Sequence, residues 1–252
     1  MSFGSPHRHS AECASTNDLA RAWAMDADNP APHGALVSAD FQTKGRGRRG
    51  RQWQAGRGES VLMSVLLRPA FSPTEAWQIA FIAALAVSDA VGACVPHVAL
   101  KWPNDVLIEG NKASGVLVET VHAGASGWAA IVGIGVNVSQ TKFDPNTAYQ
   151  MPPTSLRLSG GQVPTVSVLT EQIARALELR LAQHAMQGWK HTRADWQARM
   201  APGIVLQRGP EQGLFVDLEA DGRARVRLPS GTFACWATVD AEESANTPPN
   251  QV

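Results

Sequence analysis

The segment between Lys44 and Gln52 constrains this chain more than any other, because it consists of Gly-Arg-Gly-Arg-Arg-Gly-Arg. Four arginines cannot all be buried without partners, so residues 45–51, the arginine loop, must lie outside the hydrophobic core. The three glycines can adopt backbone angles closed to other residues, which lets consecutive N–H groups converge on an anion. The sequence therefore predicts a phosphate-binding loop, with a triphosphate as the first candidate, that an anion would order.

The arginine loop also satisfies the dinucleotide-binding pattern G-x-G-x-x-G. That pattern needs a helix directly after the loop and an acidic residue about 20 positions further on. Residues 52–60 instead contain two more glycines and no helical apolar period, and residues 61–68 are predicted to form a strand. The context argues against a dinucleotide site.

Nucleic acid is a second candidate ligand, since Arg/Gly tracts bind phosphate backbones. Lys plus Arg and Asp plus Glu each number 22, so the formal net charge is zero. No basic face is therefore expected for a polyanion, and we expect the loop to bind a small phosphate compound.

The length of 252 residues suits one catalytic domain with a small companion, and the hydrophobic content of 44% can fill their cores. The longest apolar run, residues 79–95, is broken by polar residues and lacks a basic flank, which argues against a membrane span or a signal peptide. The three cysteines are widely spaced and form no C-x-x-C pair. This usage fits a reducing compartment, so we expect a cytoplasmic protein without a membrane partner.

Hydrophobic periodicity predicts a mixture of helices and strands. Helices are predicted at residues 19–25, 74–94 and 168–200. Strands are predicted at residues 35–41, 61–68, 98–102, 106–109, 115–121 and 128–138. Gly133 and Gly135 interrupt the last of these, which suggests either a bulge or the close approach of a ligand. Short strands at residues 204–208, 213–219, 223–228 and 232–239, with Asp-Gly and Ser-Gly turns, predict a small β-barrel.

Three motifs have to be considered together: Ser15-Thr16-Asn17, the arginine loop, and Lys101-Trp102-Pro103-Asn104-Asp105 followed by Lys112-Ala113-Ser114-Gly115-Val116-Leu117-Val118-Glu119. Ordinary packing does not require this combination in this order. The chain closely resembles the biotin protein ligases, also called biotin–[acetyl-CoA-carboxylase] ligases. The resemblance is specific over residues 15–138 and looser over residues 203–240.

The resemblance implies a two-step reaction. The carboxylate of biotin attacks the α-phosphate of ATP, giving biotinyl-5′-adenylate and pyrophosphate, and a lysine of an acceptor protein then attacks the mixed anhydride. The implied acceptor is the biotin carboxyl carrier protein domain of a biotin-dependent carboxylase. Magnesium is implied as the partner of ATP, without an assigned protein ligand.

The resemblance also implies roles for individual residues. Lys112 and Arg48 are the catalytic candidates. The implied biotin-binding residues are Ser15, Thr16, Asn17, Gln42, Gly45, Arg46, Gly47, Arg48, Lys112, Gly115 and Gly133. The implied ATP-binding residues are Arg48, Arg49, Arg51, Trp53, Asn104, Asp105 and Asn137. Hydroxyl and amide side chains suit the ureido ring of biotin, which offers one carbonyl acceptor and two N–H donors.

Some of these residues also have purely structural interpretations. Ser15 or Thr16 can serve as the N-cap of the first helix. Lys112 can be a surface lysine in a turn, Trp53 can fill the core, and the segment around Trp102 can be a turn formed for its own sake. Arg49 and Arg51 can serve the outgoing pyrophosphate or simply be solvated.

The implied fold is α+β, with a mixed sheet flanked by helices as in class II aminoacyl-tRNA synthetases and a small C-terminal SH3-like β-barrel. We expect a disordered N-terminus at residues 1–14, a ligase domain at 15–201, the barrel at 202–241 and a disordered tail at 242–252. Family members that double as repressors carry an N-terminal helix-turn-helix domain. Only 14 residues precede Ser15, so we expect a monofunctional enzyme that does not bind nucleic acid.

Three alternatives remain at this point. A lipoate–protein ligase shares the fold and the adenylate chemistry, although the arginine loop and the Lys101–Asp105 motif favour biotin. A non-enzymatic binding module would use the basic loop to hold nucleic acid, and a storage protein would bind biotin without releasing pyrophosphate. One sequence does not separate a monomer from a homodimer.

Overall fold

A computed structural model describes residues 2–122, 127–147 and 149–237. Its helices are α1 (Thr16–Ala24), α2 (Gln78–Gly92) and α3 (Val166–Gln197). The first seven strands are β1 (His7–Ser10), β2 (Leu36–Ala39), β3 (Ser60–Leu67), β4 (Val98–Lys101), β5 (Asp105–Ile108), β6 (Asn111–His122) and β7 (Trp128–Asn137). The remaining strands are β8 (Val205–Arg208), β9 (Glu211–Leu218), β10 (Ala224–Arg227) and β11 (Phe233–Trp236). Within the described ranges, no helix combines the length and apolar character needed to cross a membrane.

The larger sheet has seven strands in the order β1-β2-β3-β7-β6-β5-β4. The β1–β2 pair is parallel and the other neighbours are antiparallel, so the sheet is mixed. Helix α2 is apolar on all sides and almost entirely buried, as expected for a helix inside a core. It packs with α3 against one face of the sheet, and α1 packs Ala20, Trp23 and Ala24 on the other face. The predicted mixed sheet flanked by helices is confirmed.

The prediction of a disordered N-terminus is wrong for the described residues 2–14. Phe3 is buried, and β1 pairs with β2 with His9 opposite Ser38. The Ser38 hydroxyl lies 2.8 Å from His7 Nε2 and 2.9 Å from His9 Nδ1. Backbone pairing with β2 and the Ser38 contacts order this strand. The sequence did not predict it, because His-Arg-His-Ser shows no alternation of apolar and polar residues.

The smaller sheet is antiparallel, with the strand order β11-β10-β9-β8. Its inward-facing side chains join the same core as α2 and α3, including Phe215, Val226 and Trp236. The turn between β9 and β10 anchors it, because Trp102 Nε1 donates to Gly222 O at 3.0 Å. Gly222 is required there, since its φ is +82° and a Cβ would lie 2.3 Å from the Trp77 ring. The predicted tail at residues 242–252 lies outside the described residues.

Three histidines make the stability of this fold depend on pH. Burial lowers the pKa values of His7, His33 and His184 below the ordinary value of 6.5, and the charge of His9 adds to the effect on His7. The unfolded chain therefore binds more protons just below pH 6.5 than the folded chain does. We expect the histidine contribution to stability to be complete above about pH 6.5 and to be lost as the pH falls below it.

Urea unfolding between pH 7.5 and 5.5 measures this dependence, because most carboxylates stay ionised over that interval. We expect the midpoint to fall with pH, and to fall less in a His184→Gln variant. A midpoint that is constant or rises toward pH 5.5 would contradict the assignment.

Candidate active site

A cavity of about 370 Å³ lies on the face of the larger sheet against which α1 packs. Gly133 and Gly135 point to the same side of β7 as Ile131, which contacts α1, because alternate residues of a strand share a face. All the predicted site residues line this cavity except Gly45 and Arg49. The lining set from the prediction is Ser15, Thr16, Asn17, Gln42, Arg46, Gly47, Arg48, Arg51, Trp53, Asn104, Asp105, Lys112, Gly115, Gly133 and Asn137.

The first turn of α1 forms a polar end of the cavity. Thr16 and Asn17 are buried, and Gln42 Oε1 accepts hydrogen bonds from Thr16 N at 2.7 Å and Thr16 Oγ1 at 3.1 Å. Ser64 Oγ donates to Asn17 Oδ1 at 2.6 Å and lies 2.8 Å from Thr16 Oγ1. Ser15 occupies the N-cap position, but its side chain makes no cap bond to any described residue. Side-chain capping therefore does not explain this cluster.

The glycines of β6 and β7 let side chains approach the strands closely. A Cβ on Gly133 would lie 2.4 Å from Asn17 Oδ1, and one on Gly135 would lie 2.5 Å from Cε2 of Trp53. A Cβ on Gly115 would lie 3.4 Å from the same indole. The register of β7 is continuous against both of its neighbours. Of the two interpretations of its glycines, the structure therefore favours close approach over a bulge.

Asp105 is a buried carboxylate held between two lysines. Lys112 Nζ lies 2.7 Å from Asp105 Oδ1, and Lys101 Nζ lies 3.3 Å from Asp105 Oδ2. Burial acts to raise the pKa of Asp105, but the charges of Lys112 and Lys101 and their hydrogen bonds outweigh it, so the pKa is lowered. Burial also lowers the pKa of Lys101, against the attraction of Asp105. This cluster fixes the Lys112 ammonium at the cavity wall.

The two asparagines use their amide groups within the protein. Asn104 Nδ2 donates to Val116 O, and Asn137 Nδ2 donates to Thr154 O at 2.9 Å. Asn137 Oδ1 also lies 3.5 Å from the Ser60 hydroxyl, and both asparagines line the cavity. The connection between β7 and α3 at residues 142–164, the crossing segment, holds Lys112, since the Lys112 N–H donates to Pro152 O and the Lys112 carbonyl accepts from Thr154 N, each at 2.9 Å.

The arginine loop is held by protein groups. Arg51 Nη1 donates to Gln150 Oε1 at 2.5 Å and Arg51 Nε donates to Arg48 O at 3.1 Å. Gly45 contributes to the backbone rather than to the lining, because a Cβ there would lie 2.4 Å from Trp53 O. Arg49 adopts a left-handed conformation with φ of 58° and does not line the cavity.

Sequence reasoning missed several residues of the site. Gln52, Gln54 and Ser64 carry no motif, although Ser64 sits in an apolar strand, where a hydroxyl needs a buried partner. The crossing segment contributes Phe143, Thr147, Tyr149, Gln150, Met151 and Pro153. Its composition indicated only an irregular connection. Glu119 ends the motif that begins at Lys112, but the sequence assigned it no role.

The chain belongs to the Biotin/lipoate A/B protein ligase family, which it matches over residues 12–137. It is 35% identical over 209 residues to a biotin–[acetyl-CoA-carboxylase] ligase of Paracoccus denitrificans, covering 78% of this chain and 85% of that protein. It is 32% identical over 233 residues to the enzyme of that name from Mycobacterium tuberculosis, covering 88% of this chain and 74% of that protein. A solved structure of a biotin protein ligase from Aquifex aeolicus in complex with biotin and ATP matches it with a TM-score of 0.74 at 27% identity. The match covers 92% of this chain and 95% of that one.

Proposed function

We propose that this chain is an ATP-dependent biotin protein ligase that adenylates biotin and transfers it to a lysine of a biotin carboxyl carrier protein. One observation carries the proposal: a single cavity joins the polar cluster around Asn17 to the Lys112 ammonium and the arginine loop. A ligand with a polar ring at one end and a carboxylate at the other matches that arrangement.

The chemistry follows from the order of the groups along the cavity. The ureido ring lies at Thr16, Asn17 and Gln42, which places the carboxylate toward Lys112. Lys112 and Arg48 attract both the carboxylate and the α-phosphate, so that a carboxylate oxygen attacks phosphorus and pyrophosphate leaves. In the second step the acceptor amine attacks the acyl carbon, AMP leaves, and the amine loses its proton.

The polar cluster favours biotin over lipoate. Thr16, Asn17 and Gln42 line the cavity, and an apolar dithiolane ring would offer no hydrogen bonds to them. A site built around such groups discriminates strongly against a ligand that cannot pair with them.

ATP is proposed to lie between the arginine loop and the crossing segment, with Arg51 and Arg49 near the pyrophosphate. Trp53 and Asn137 are proposed to face the adenine and Asn104 to lie near ATP, and all three line the cavity. Asp105 is already paired with two lysines, and the described residues include no group of three or more His, Cys, Asp or Glu side chains suited to a metal ion. The protein side chains therefore do not fit a magnesium cage, and we propose that magnesium enters on the phosphates of ATP.

Several finer assignments are proposals of the same kind. The larger sheet is proposed to be related to that of class II aminoacyl-tRNA synthetases, and the smaller one to be an SH3-like barrel at residues 202–241 beside a ligase domain at 15–201. We propose a cytoplasmic enzyme, monomeric or homodimeric, that binds no nucleic acid. The balanced net charge supports the last point.

Isotopic ATP–pyrophosphate exchange with biotin, lipoate or neither tests the function, because it reports adenylation and needs no acceptor. We expect exchange only with biotin. Exchange with lipoate alone would move the chain to the lipoate ligases of the same family. Biotin binding without exchange would instead indicate a storage protein.

A further inference from the structure

Glu119 lies in β6 beside the polar end of the cavity and contacts two parts of the site. Its Oε2 atom accepts a hydrogen bond from Asn17 Nδ2 at 2.8 Å and lies 3.3 Å from Arg46 Nη2. A second cation, Arg21, has its Nη2 atom 3.6 Å from the same oxygen. The Glu119 side chain is 24% exposed, so water screens these contacts only in part.

The hydrogen bond between Glu119 and Asn17 fixes the orientation of the Asn17 side-chain amide. Ser64 donates to Asn17 Oδ1 at 2.6 Å, and Glu119 accepts from Asn17 Nδ2 at 2.8 Å. A carboxylate can only accept, so an inverted amide would place two acceptors against each other. Asn17 therefore presents one defined N–H and one defined carbonyl lone pair to a ligand.

The contact with Arg46 ties the same carboxylate to the arginine loop. Arg46 Nη1 donates to Asp18 Oδ2 at 2.8 Å, its Nη2 atom lies 2.8 Å from Asp18 Oδ1, and Glu119 completes the set at 3.3 Å. The hydrogen bond from Arg46 is the main reason why the pKa of Asp18 is lowered. Two carboxylates offset the charge of Arg46, so this arginine anchors the start of the loop.

We propose that Glu119 is a positioning residue of the biotin site, which fixes the Asn17 amide for the ureido ring and holds the arginine loop through Arg46, with Asp18 as the second anchor. The inference rests on the proposed function. It also changes the role of Arg46 from a ligand of the biotin carboxylate to an anchor of the loop, which leaves Lys112 and Arg48 for that carboxylate.

Glu119 contributes more than Asp18 to the positioning of the biotin site. The Asp18 side chain is 48% exposed and pairs with an arginine that is 36% exposed, and such surface pairs contribute little. Glu119 is hydrogen-bonded to a buried amide, whose orientation is lost when the acceptor is removed.

The test measures biotin affinity by calorimetry, and the KM values for biotin and ATP by pyrophosphate exchange, in Glu119→Ala, Glu119→Gln and Asp18→Asn. We expect Glu119→Ala to raise the Kd and KM for biotin about tenfold or more, and the KM for ATP by a smaller factor because Asp18 still holds Arg46 and the loop. Glu119→Gln should recover part of the loss, because its carbonyl can accept from Asn17, and Asp18→Asn should have the smallest effect. Glu211→Ala, which removes an exposed pair with Arg208 in the smaller sheet, is the matched control and should leave both constants unchanged.

A double-mutant cycle separates positioning from a general structural role. If Glu119 acts through Asn17, the Asn17→Ala/Glu119→Ala variant should bind biotin about as well as Asn17→Ala alone. Unchanged biotin affinity in both Glu119 variants, an equal rise in the KM for ATP, or additive losses in the cycle would overturn the inference. If the unmodified protein bound no biotin, the proposed function itself would fail, and this inference with it.

Discussion

Replacing Lys112 by alanine is expected to lower the rate of biotin-dependent pyrophosphate exchange by about 10²–10³-fold, the range seen when one preorganised group that stabilises developing charge is removed. The biotin carboxylate and the α-phosphate of ATP must meet at the cavity wall, where Lys112 Nζ is held 2.7 Å from Asp105 Oδ1. Without the Lys112 ammonium, the arginine loop alone must offset the repulsion between the biotin carboxylate and the α-phosphate. It must also stabilise the charge that develops at phosphorus. The measurement is single-turnover adenylation at saturating biotin and ATP.

The variant also leaves the buried Asp105 with Lys101 as its remaining ion-pair partner, so thermal unfolding must be recorded alongside. Lys112→Met retains most of the packing volume and should lose the same activity. Lys190→Ala, which removes an exposed lysine of α3, is the matched control. Adenylation at the unmodified rate in either folded Lys112 variant would show that the ammonium does not act in the first step.

Adding one methyl group at Gly133 is expected to weaken biotin binding by about 10²-fold, since two hydrogen bonds of the polar cluster are lost together. The new Cβ would lie 2.4 Å from Asn17 Oδ1, so the amide would have to leave its position between Ser64 and Glu119. The fold should survive, because the displaced atoms belong to a side chain and not to the backbone. Calorimetric titration of Gly133→Ala with biotin checks the expectation.

Gly92→Ala provides a control of the same chemical size, because a Cβ at that position meets no atom within 4 Å. It should bind biotin as the unmodified protein does. If Gly133→Ala bound biotin with unchanged affinity, the ring would not lie against Asn17, and the proposed orientation of biotin would have to be reversed or abandoned.

Much of the architecture was predictable because its signals are local. The apolar run of α2 and the strands at β3 and β7 have clear periodicity, and the structure places each within a few residues of its prediction. The motifs around Asn17, Arg48, Asp105 and Lys112 likewise lead to one cavity. The resemblance to the biotin protein ligases, rather than any local pattern, predicted that they would meet.

The parts of the fold and the site that could not be predicted depend on contacts between distant parts of the chain. The pairing of β1 with β2 and the hydrogen bonds of Pro152 and Thr154 to Lys112 in β6 leave no periodic pattern in their own segments. The role of Arg46 depends on Asp18 and Glu119, which lie 28 and 73 residues away in the chain. No local rule distinguishes an arginine that binds a ligand from one that anchors a loop.

Trp102 joins the two sheets, since it lies two residues before Asn104 of the cavity wall, while its indole N–H donates to Gly222 O in the turn between β9 and β10. Because both sheets also share one core, their melting is coupled. The C-terminal strands should not denature ahead of the ligase site, and heating should produce a single calorimetric transition in which catalytic competence and the smaller sheet disappear at the same temperature.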